Sequence, residues 1–488
     1  MTFRFIRDPG PFDGRTLAFV NRARTHGHAV TEVADGFVLG EGASLAAEAA
    51  GLVLQDISGR VPGRSPPGTS VPRIAIYCGS AVGYPYWAYY AHAFLSLGLG
   101  CTGIGADEVI SGKLADFDLL VMPGGFATWG LDRAEAKSGV DAAIHAFLAD
   151  GGAYIGSCGG AFYLSSGRPE WLGIIDAVPR YTHEYLLTGA GLISVSLDDA
   201  SDLGRGLPEA IEMPYYHGPV YAERPREAAT LARFNDLMLS GRLFIDNPLD
   251  RALFDKSIRG SPAALLAAPH RGRAIVFSPH PEMGEFVRKG IVLDSYVRKY
   301  LPVRGSKVMN ETLSFYAKDA CAGFRMIHNA VQSLGLYDQP CHNACDLAST
   351  PPELRLSSVD AAIAASLAVM HDQAQAETSE FRGIAEQEFD RLSAEWTDIR
   401  NRAIAAFARA SRKSAEILTT LQRLLNNAEE TLACNSTISW VERLVLTELP
   451  VRLTAAACRI VDYDVALATP LNSASEKPAS HVERTFGQ

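Results

Sequence analysis

At 488 residues the chain exceeds one ordinary domain, and about three units are expected. With 47% apolar and 20% charged residues it can bury a sizeable core, which excludes global disorder. A net charge of −10 argues against nucleic acid or an anionic membrane as the main partner, and no window reaches the roughly 20 unbroken apolar residues of a membrane span.

The chain begins Met1-Thr2-Phe3-Arg4-Phe5-Ile6, without the apolar h-region of a secretory signal. Eight cysteines spread over this length do not resemble a disulfide framework, so a cytoplasmic protein with reduced thiols is expected. Residues 1–72 read as a small N-terminal segment. Short amphipathic stretches, such as Leu17 to Val20 and Leu45 to Leu54, end in a Pro/Gly linker from Gly59 to Gly68. No motif in this segment carries chemistry.

Between 73 and 303 short apolar runs alternate with amphipathic helices. Ile74 to Tyr77, Leu119 to Met122, Ala153 to Ile155 and Ala274 to Phe277 read as buried strands, with helices over Tyr86 to Leu97 and Arg133 to Leu148. Leu265 to Ala268 and Ala274 to Phe277, split by Arg271-Gly272, read as a late hairpin. The alternation predicts an α/β, flavodoxin-like, mostly parallel sheet flanked by helices.

Residues 304–470 predict an all-α helical bundle or coiled-coil domain. Ile384 to Leu449 contains neither Gly nor Pro. Apolar residues from Phe389 to Leu432 recur at steps of three and four, with Ser414 in one slot, which predicts a heptad-patterned helix of about 45 residues spanning roughly 65 Å. Helices are also expected over Leu313 to Leu334 and Val359 to Met370, the latter capped by Ser357 or Ser358. An intramolecular bundle is the plain use of the seam; a homo-oligomer or a docked protein partner is the other. Residues 471–488 are polar and read as a disordered tail.

The strongest local signal is Gly156-Ser157-Cys158-Gly159-Gly160, directly after an apolar strand. A nucleophile between strand and helix must sit on a sharp turn, and small residues two positions either side keep the backbones apart. The helix starting at Ala161 would favour thiolate over thiol. A buried cysteine in a glycine-rich turn is the bland alternative, but three glycines carry a cost in backbone entropy that needs a reason. A thiol nucleophile needs a base, and the base needs an orienting group. Ser278-Pro279-His280-Pro281-Glu282 follows a strand, and its spacing lets the Glu282 carboxylate accept the imidazole N–H.

A strand-end PGG, a G-x-C-G-G elbow and a strand leading into H-P-E, in that order, resemble the class I glutamine-amidotransferase superfamily. More narrowly, Cys158 to Tyr163 and Tyr215-Tyr216-His217-Gly218-Pro219-Val220-Tyr221 resemble the amidotransferase-like domain at the N-terminus of eukaryotic biotin–protein ligases and in stand-alone bacterial proteins. The likeness covers about Arg73 to Val303. The glycine-rich biotin-binding loop of a ligase is missing, so biotin ligation is not implied. The resemblance implies Cys158 as nucleophile, His280 as base and Glu282 as its orienter. It also implies an oxyanion hole from the turn at Gly124 and Gly125 and from Gly159.

Other candidates are weaker. Trp129 could wall a substrate pocket or simply pack on the core; His217, with Tyr216 beside it, could touch substrate or have no role. Gly79 to Gly83 lacks the Lys-Ser/Thr ending of a phosphate loop. Cys341-His342-Asn343-Ala344-Cys345 has metal-ligand residue types but no second pair at finger-like distance, so no metal or other cofactor is expected. The expected function is attack on an amide or acyl carbon of a small molecule or peptide through a thioester on Cys158. The alternative is a non-catalytic amidotransferase-like scaffold that recruits partners through its C-terminal helices.

Overall fold

The computed structural model describes residues 4–8, 10, 13–33, 35–56, 71–79, 82–125, 137–169, 171–180, 190–198, 201–221, 227–237, 251–316, 321–337, 352–434 and 437–468. The N-terminal stretch is more than a loose segment. It forms β1 (Arg4–Arg7), α1 (Gly14–Thr25), β2 (Val30–Val33), β3 (Gly36–Leu39), α2 (Glu41–Ala49) and β4 (Gln55–Asp56), with an antiparallel sheet in the order β2-β3-β1-β4. Helix α1 starts where Asp13 Oδ1 accepts the Arg15 amide at 2.9 Å, satisfying an otherwise orphaned donor.

The main sheet follows. β5 (Ile74–Tyr77), α3 (Tyr86–Ser96), β6 (Thr102–Ile104), α4 (Ala106–Ile110), β7 (Leu119–Met122), α5 (Lys137–Ala149), β8 (Ala153–Ser157) and α6 (Gly159–Leu164) alternate as expected. Then come β9 (Ala190–Leu197), β10 (Ala210–Tyr216), β11 (Ala228–Asp236), α7 (Arg251–Ser257), β12 (Pro262–Ala267) and β13 (Arg273–Phe277). The strands lie in the order β10-β9-β11-β12-β13-β8-β7-β5-β6. β6, β5, β7, β8 and β13 pair in parallel, and their uniformly buried apolar runs suit a sheet covered on both faces. The other strands extend it antiparallel, including the expected β12–β13 hairpin, in which Leu266 faces Ile275. The register places Met122 beside Gly156 and Phe277 beside Ser157. Segments leaving β7, β8 and β13 therefore emerge side by side on one edge, with strands about 4.8 Å apart.

The rest is helical: α8 (Glu285–Val292), a π-helical turn (Leu293–Val297), α9 (Arg298–Arg304), α10 (Ser306–Ser314), α11 (Ala322–Ser333), α12 (Leu356–Ala374), α13 (Ser379–Phe407), α14 (Ala415–Cys434) and α15 (Trp440–Ala468). Helices α12 to α15 pack on one another as a bundle. The seam from Phe389 to Leu432 is not one long helix. It breaks after Phe407 and restarts at Ala415, across a 3-10 turn where Ser411 Oγ accepts the Lys413 amide at 3.2 Å. Heptad spacing reports which face is apolar, not whether the axis is continuous. Ser414 interrupts the seam because its hydroxyl donates to buried Asp464 at 2.7 Å. Phe389, Leu392, Ile417 and Leu424 are fully buried, so the seam is spent inside the bundle. The helix expected over 313–334 is likewise two, α10 and α11. Helix α12 begins at Leu356 with Arg355 at its N-cap, two or three residues ahead of the expected serines.

The bundle is bonded to both other parts. Helix α14 covers the edge strand β6: Thr420 donates to the Cys101 carbonyl at 2.6 Å and Arg423 to the Gly103 carbonyl at 2.7 Å, closing an edge that would otherwise invite pairing. Lys289 of α8 reaches Glu388 of α13 at 2.9 Å and Glu448 of α15 at 3.0 Å. Arg22 of α1 pairs with Asp464 of α15 at 2.7 Å, both almost fully buried. Among the described residues no helix is long and apolar enough to cross a membrane.

Candidate active site

The three neighbouring strand ends bring the sequence motifs together. Cys158 leaves β8 with φ 48° and ψ −106°, a backbone conformation that side-chain-bearing residues rarely adopt. The surrounding glycines permit it. A Cβ on Gly160 would stand 2.0 Å from the Met122 carbonyl oxygen, and one on Gly156 would stand 2.8 Å from the Gly160 carbonyl carbon. The strained conformation is thus held in place by close backbone packing. The thiol is 8% exposed and donates to the Tyr216 carbonyl at 3.1 Å.

His280 leaves the neighbouring β13. Its amide donates to the Pro214 carbonyl at 2.9 Å, and the Tyr216–Gly218 segment presses on the same loop so closely that a Cβ on Gly218 would meet Ser278 O at 1.7 Å. His280 Nδ1 and Glu282 Oε1 are 2.7 Å apart, and each residue is 1% exposed. The same Oε1 accepts the Ser157 hydroxyl at 2.7 Å. The Tyr216 ring meets the imidazole edge-on, with centroids 5.7 Å apart. Burial by itself lowers the His280 pKa, but the charges of Glu282 and Cys158 outweigh it and raise the value to about 10. With Nδ1 committed to Glu282, Nε2 is the ring nitrogen left for the thiol.

Gly124 and Gly125 leave β7 on the other side of the elbow. A Cβ on Gly124 would stand 2.7 Å from His280 Cε1 and 3.3 Å from Cys158 Cβ. This turn therefore lies against both. Gly125, at φ 81°, packs under the Tyr86 ring, and a Cβ on Gly159 would meet the Gly125 carbonyl oxygen at 2.5 Å. Gly159 opens α6, where a first-turn amide has no intrahelical acceptor.

A cleft of about 1010 Å³ is lined by Cys158, Gly125, Gly159, His280, Tyr216 and His217 among others. Trp129 lies outside the described residues. Ser157 was not singled out from sequence, although it sits in the elbow string; its signal would have been a hydroxyl one residue from the thiol and beside the end of β13. The opening turn of α15, some 280 residues beyond the elbow, also lines the cleft. No local pattern announces that. Cys341, His342 and Cys345 fall outside the described residues, among which no group of three or more His, Cys, Asp or Glu could hold a metal ion.

Residues 103–183 match the family model described as the CobB/CobQ-like glutamine amidotransferase domain. The match takes in the Gly124–Gly125 turn and the Cys158 elbow. Among solved structures, the chain is similar to a glutamine amidotransferase from Thermotoga maritima at 11% identity and a TM-score of 0.33, over 55% of this chain and 99% of that one. It is similar to a second glutamine amidotransferase at 16% identity and a TM-score of 0.30, over 43% of this chain and 90% of that one. No curated protein sequence matches.

Proposed function

We propose that the chain is a cysteine-dependent amidohydrolase or amidotransferase acting on an amide or related acyl compound. One observation carries this reading: the Glu282–His280 pair stands beside Cys158 on a strained elbow at the wall of a deep cleft. The sulfur adds to the carbonyl carbon, and the S–H proton passes to His280 Nε2. Glu282 fixes the ring through Nδ1 and balances the imidazolium, whose raised pKa suits it to hold that proton. The Gly125 and Gly159 amides are our assignment for the donors to the oxyanion, each able to contribute about 3 kcal/mol. Collapse breaks the C–N bond as His280 protonates the leaving amine, and leaves a thioester. Water, or an amine acceptor, then attacks the thioester and restores the thiol.

Glutamine hydrolysis is one form of this chemistry, and another small-molecule or peptide amide is an equal one. The scheme calls on no cofactor. The finer kinship with the amidotransferase-like domain of biotin–protein ligases rests on Cys158 to Tyr163 and Tyr215 to Tyr221 alone. Trapping tests the reading. With p-nitrophenyl acetate, the Cys158 peptide should acquire one acetyl group that hydroxylamine removes, and Cys158→Ser should not. Acetylation spread evenly over the other cysteines, with Cys158 no faster, would count against it.

A further inference from the structure

The cleft runs on past the reacting groups into a different environment. Beyond Met283 its walls are Val287 and Ile291 of α8 and Val441, Val445 and Leu446 of α15. The two helices come together at Gly290, where a Cβ would stand 2.5 Å from Val445 Cγ2. Ile291, Val445 and Leu446 are only half-buried, so apolar surface is left facing the cavity. The charged residues near this wall already have partners. Glu442 accepts the Ser439 amide at 3.0 Å and its hydroxyl at 3.1 Å, Asp294 pairs with Arg298 at 3.1 Å, and Arg168 lies over the Trp171 ring at 5.4 Å. Arg180 also lines the cleft; its amide donates to the Val220 carbonyl at 2.8 Å, and its buried Nε has no hydrogen-bond partner among the described residues. At about 1010 Å³ the cleft stands at the upper end of small-molecule sites, which run to about 1,000 Å³.

We propose that the substrate carries a bulky apolar group, housed between α8 and α15, on the acyl or amine side of the bond attacked at Cys158. The helical unit is then a specificity wall of the active site. The inference rests on the proposed chemistry only for the bond that is attacked.

The test is protection of Cys158 from iodoacetamide at pH 9, read by mass spectrometry, with N-acetylglycinamide and N-octanoylglycinamide as probes. At that pH an ordinary thiol also reacts, so protection is readable even if His280 gives Cys158 no help and the catalytic reading fails. Each buried methylene can improve binding up to about fourfold. The octanoyl probe should half-protect at a concentration at least about tenfold lower than the acetyl probe. Val445→Glu, and separately Ile291→Glu, should shrink that advantage below about threefold, while Val445→Leu retains it; circular dichroism shows which variants are folded. Equal protection by the two probes in the wild type would overturn the proposal. So would an octanoyl advantage that persists in a folded glutamate variant.

Discussion

Replacing Lys289 with methionine removes one charge from a buried network while keeping most of the side chain's volume. Lys289 is 3% exposed and Glu448 1%. Around them Arg391 reaches Glu388, Glu395 and Glu448 at 3.0, 2.7 and 2.9 Å, and Arg452 reaches Glu395 and Glu448 at 2.6 and 2.7 Å. Three cations face three carboxylates, and Lys289 is the member that ties α8 to α13 and α15. Removing one partner of a buried pair costs about 3–5 kcal/mol when the other is left alone. Glu448 keeps two arginines, so Lys289→Met should cost about 2–3 kcal/mol, at or just below the low end of that scale. Glu448→Gln leaves the cations in excess and should cost at least as much. The double variant restores balance, and its cost should fall short of the sum of the singles by about 1–3 kcal/mol. Urea unfolding followed by circular dichroism at pH 7 measures all four proteins. Single costs under about 1 kcal/mol, or strict additivity, would refute the claim that this network clamps the bundle to the sheet. The pH dependence offers a second check. Burial raises the Glu448 pKa, but Lys289, Arg391 and Arg452 overcome it and hold the carboxyl well below the usual carboxylate range. Its contribution is thus present above the ordinary glutamate pKa and lost as pH falls, so Glu448→Gln should flatten the acid limb of stability.

Two further predictions concern the elbow and the far side of the sheet unit. Gly160→Ala puts a methyl 2.0 Å from the Met122 carbonyl oxygen, so the elbow must shift; we expect a loss of about 2–3 kcal/mol in urea unfolding and slower Cys158 alkylation, and wild-type values of both would contradict the packing described. His328 is fully buried with neither ring nitrogen bonded among the described residues, and burial, then Arg325 and Arg24, lower its pKa to about 3. The unfolded chain therefore binds the proton first, and stability should fall by up to about 1.4 kcal/mol per pH unit between pH 6.5 and 3. His328→Gln should reduce that slope, as unfolding midpoints at several pH values would show; an unchanged slope would exclude the histidine as its source.

The motifs of the candidate site were legible because each is local. Gly156 to Gly160, His280 to Glu282 and the Gly124–Gly125 turn each sit at the end of a short apolar strand. Their meeting follows from β7, β8 and β13 being parallel neighbours. The helical unit was legible as helical, but its breaks were not, since an apolar face with the same period can lie on one helix or on two. Ser411 and Ser414, which cap and anchor the restart, read in sequence as ordinary polar positions. The fold of residues 4–56 was missed because its strands are four residues or fewer and α1 is held by Arg22–Asp464, a pairing 442 residues apart. The wall made by Val441, Val445 and Leu446 is hidden for the same reason: only docking of α15 on α8 turns those residues toward the thiol.

The measurement that bears most directly on the central claim is the rate of Cys158 alkylation by iodoacetamide against pH, in wild type and His280→Ala. With His280 able to take the S–H proton, Cys158 should be alkylated several-fold faster in the wild type than in His280→Ala at pH 7. Superimposable profiles rising near pH 8.5 in both proteins, or no reaction in either, would contradict the account.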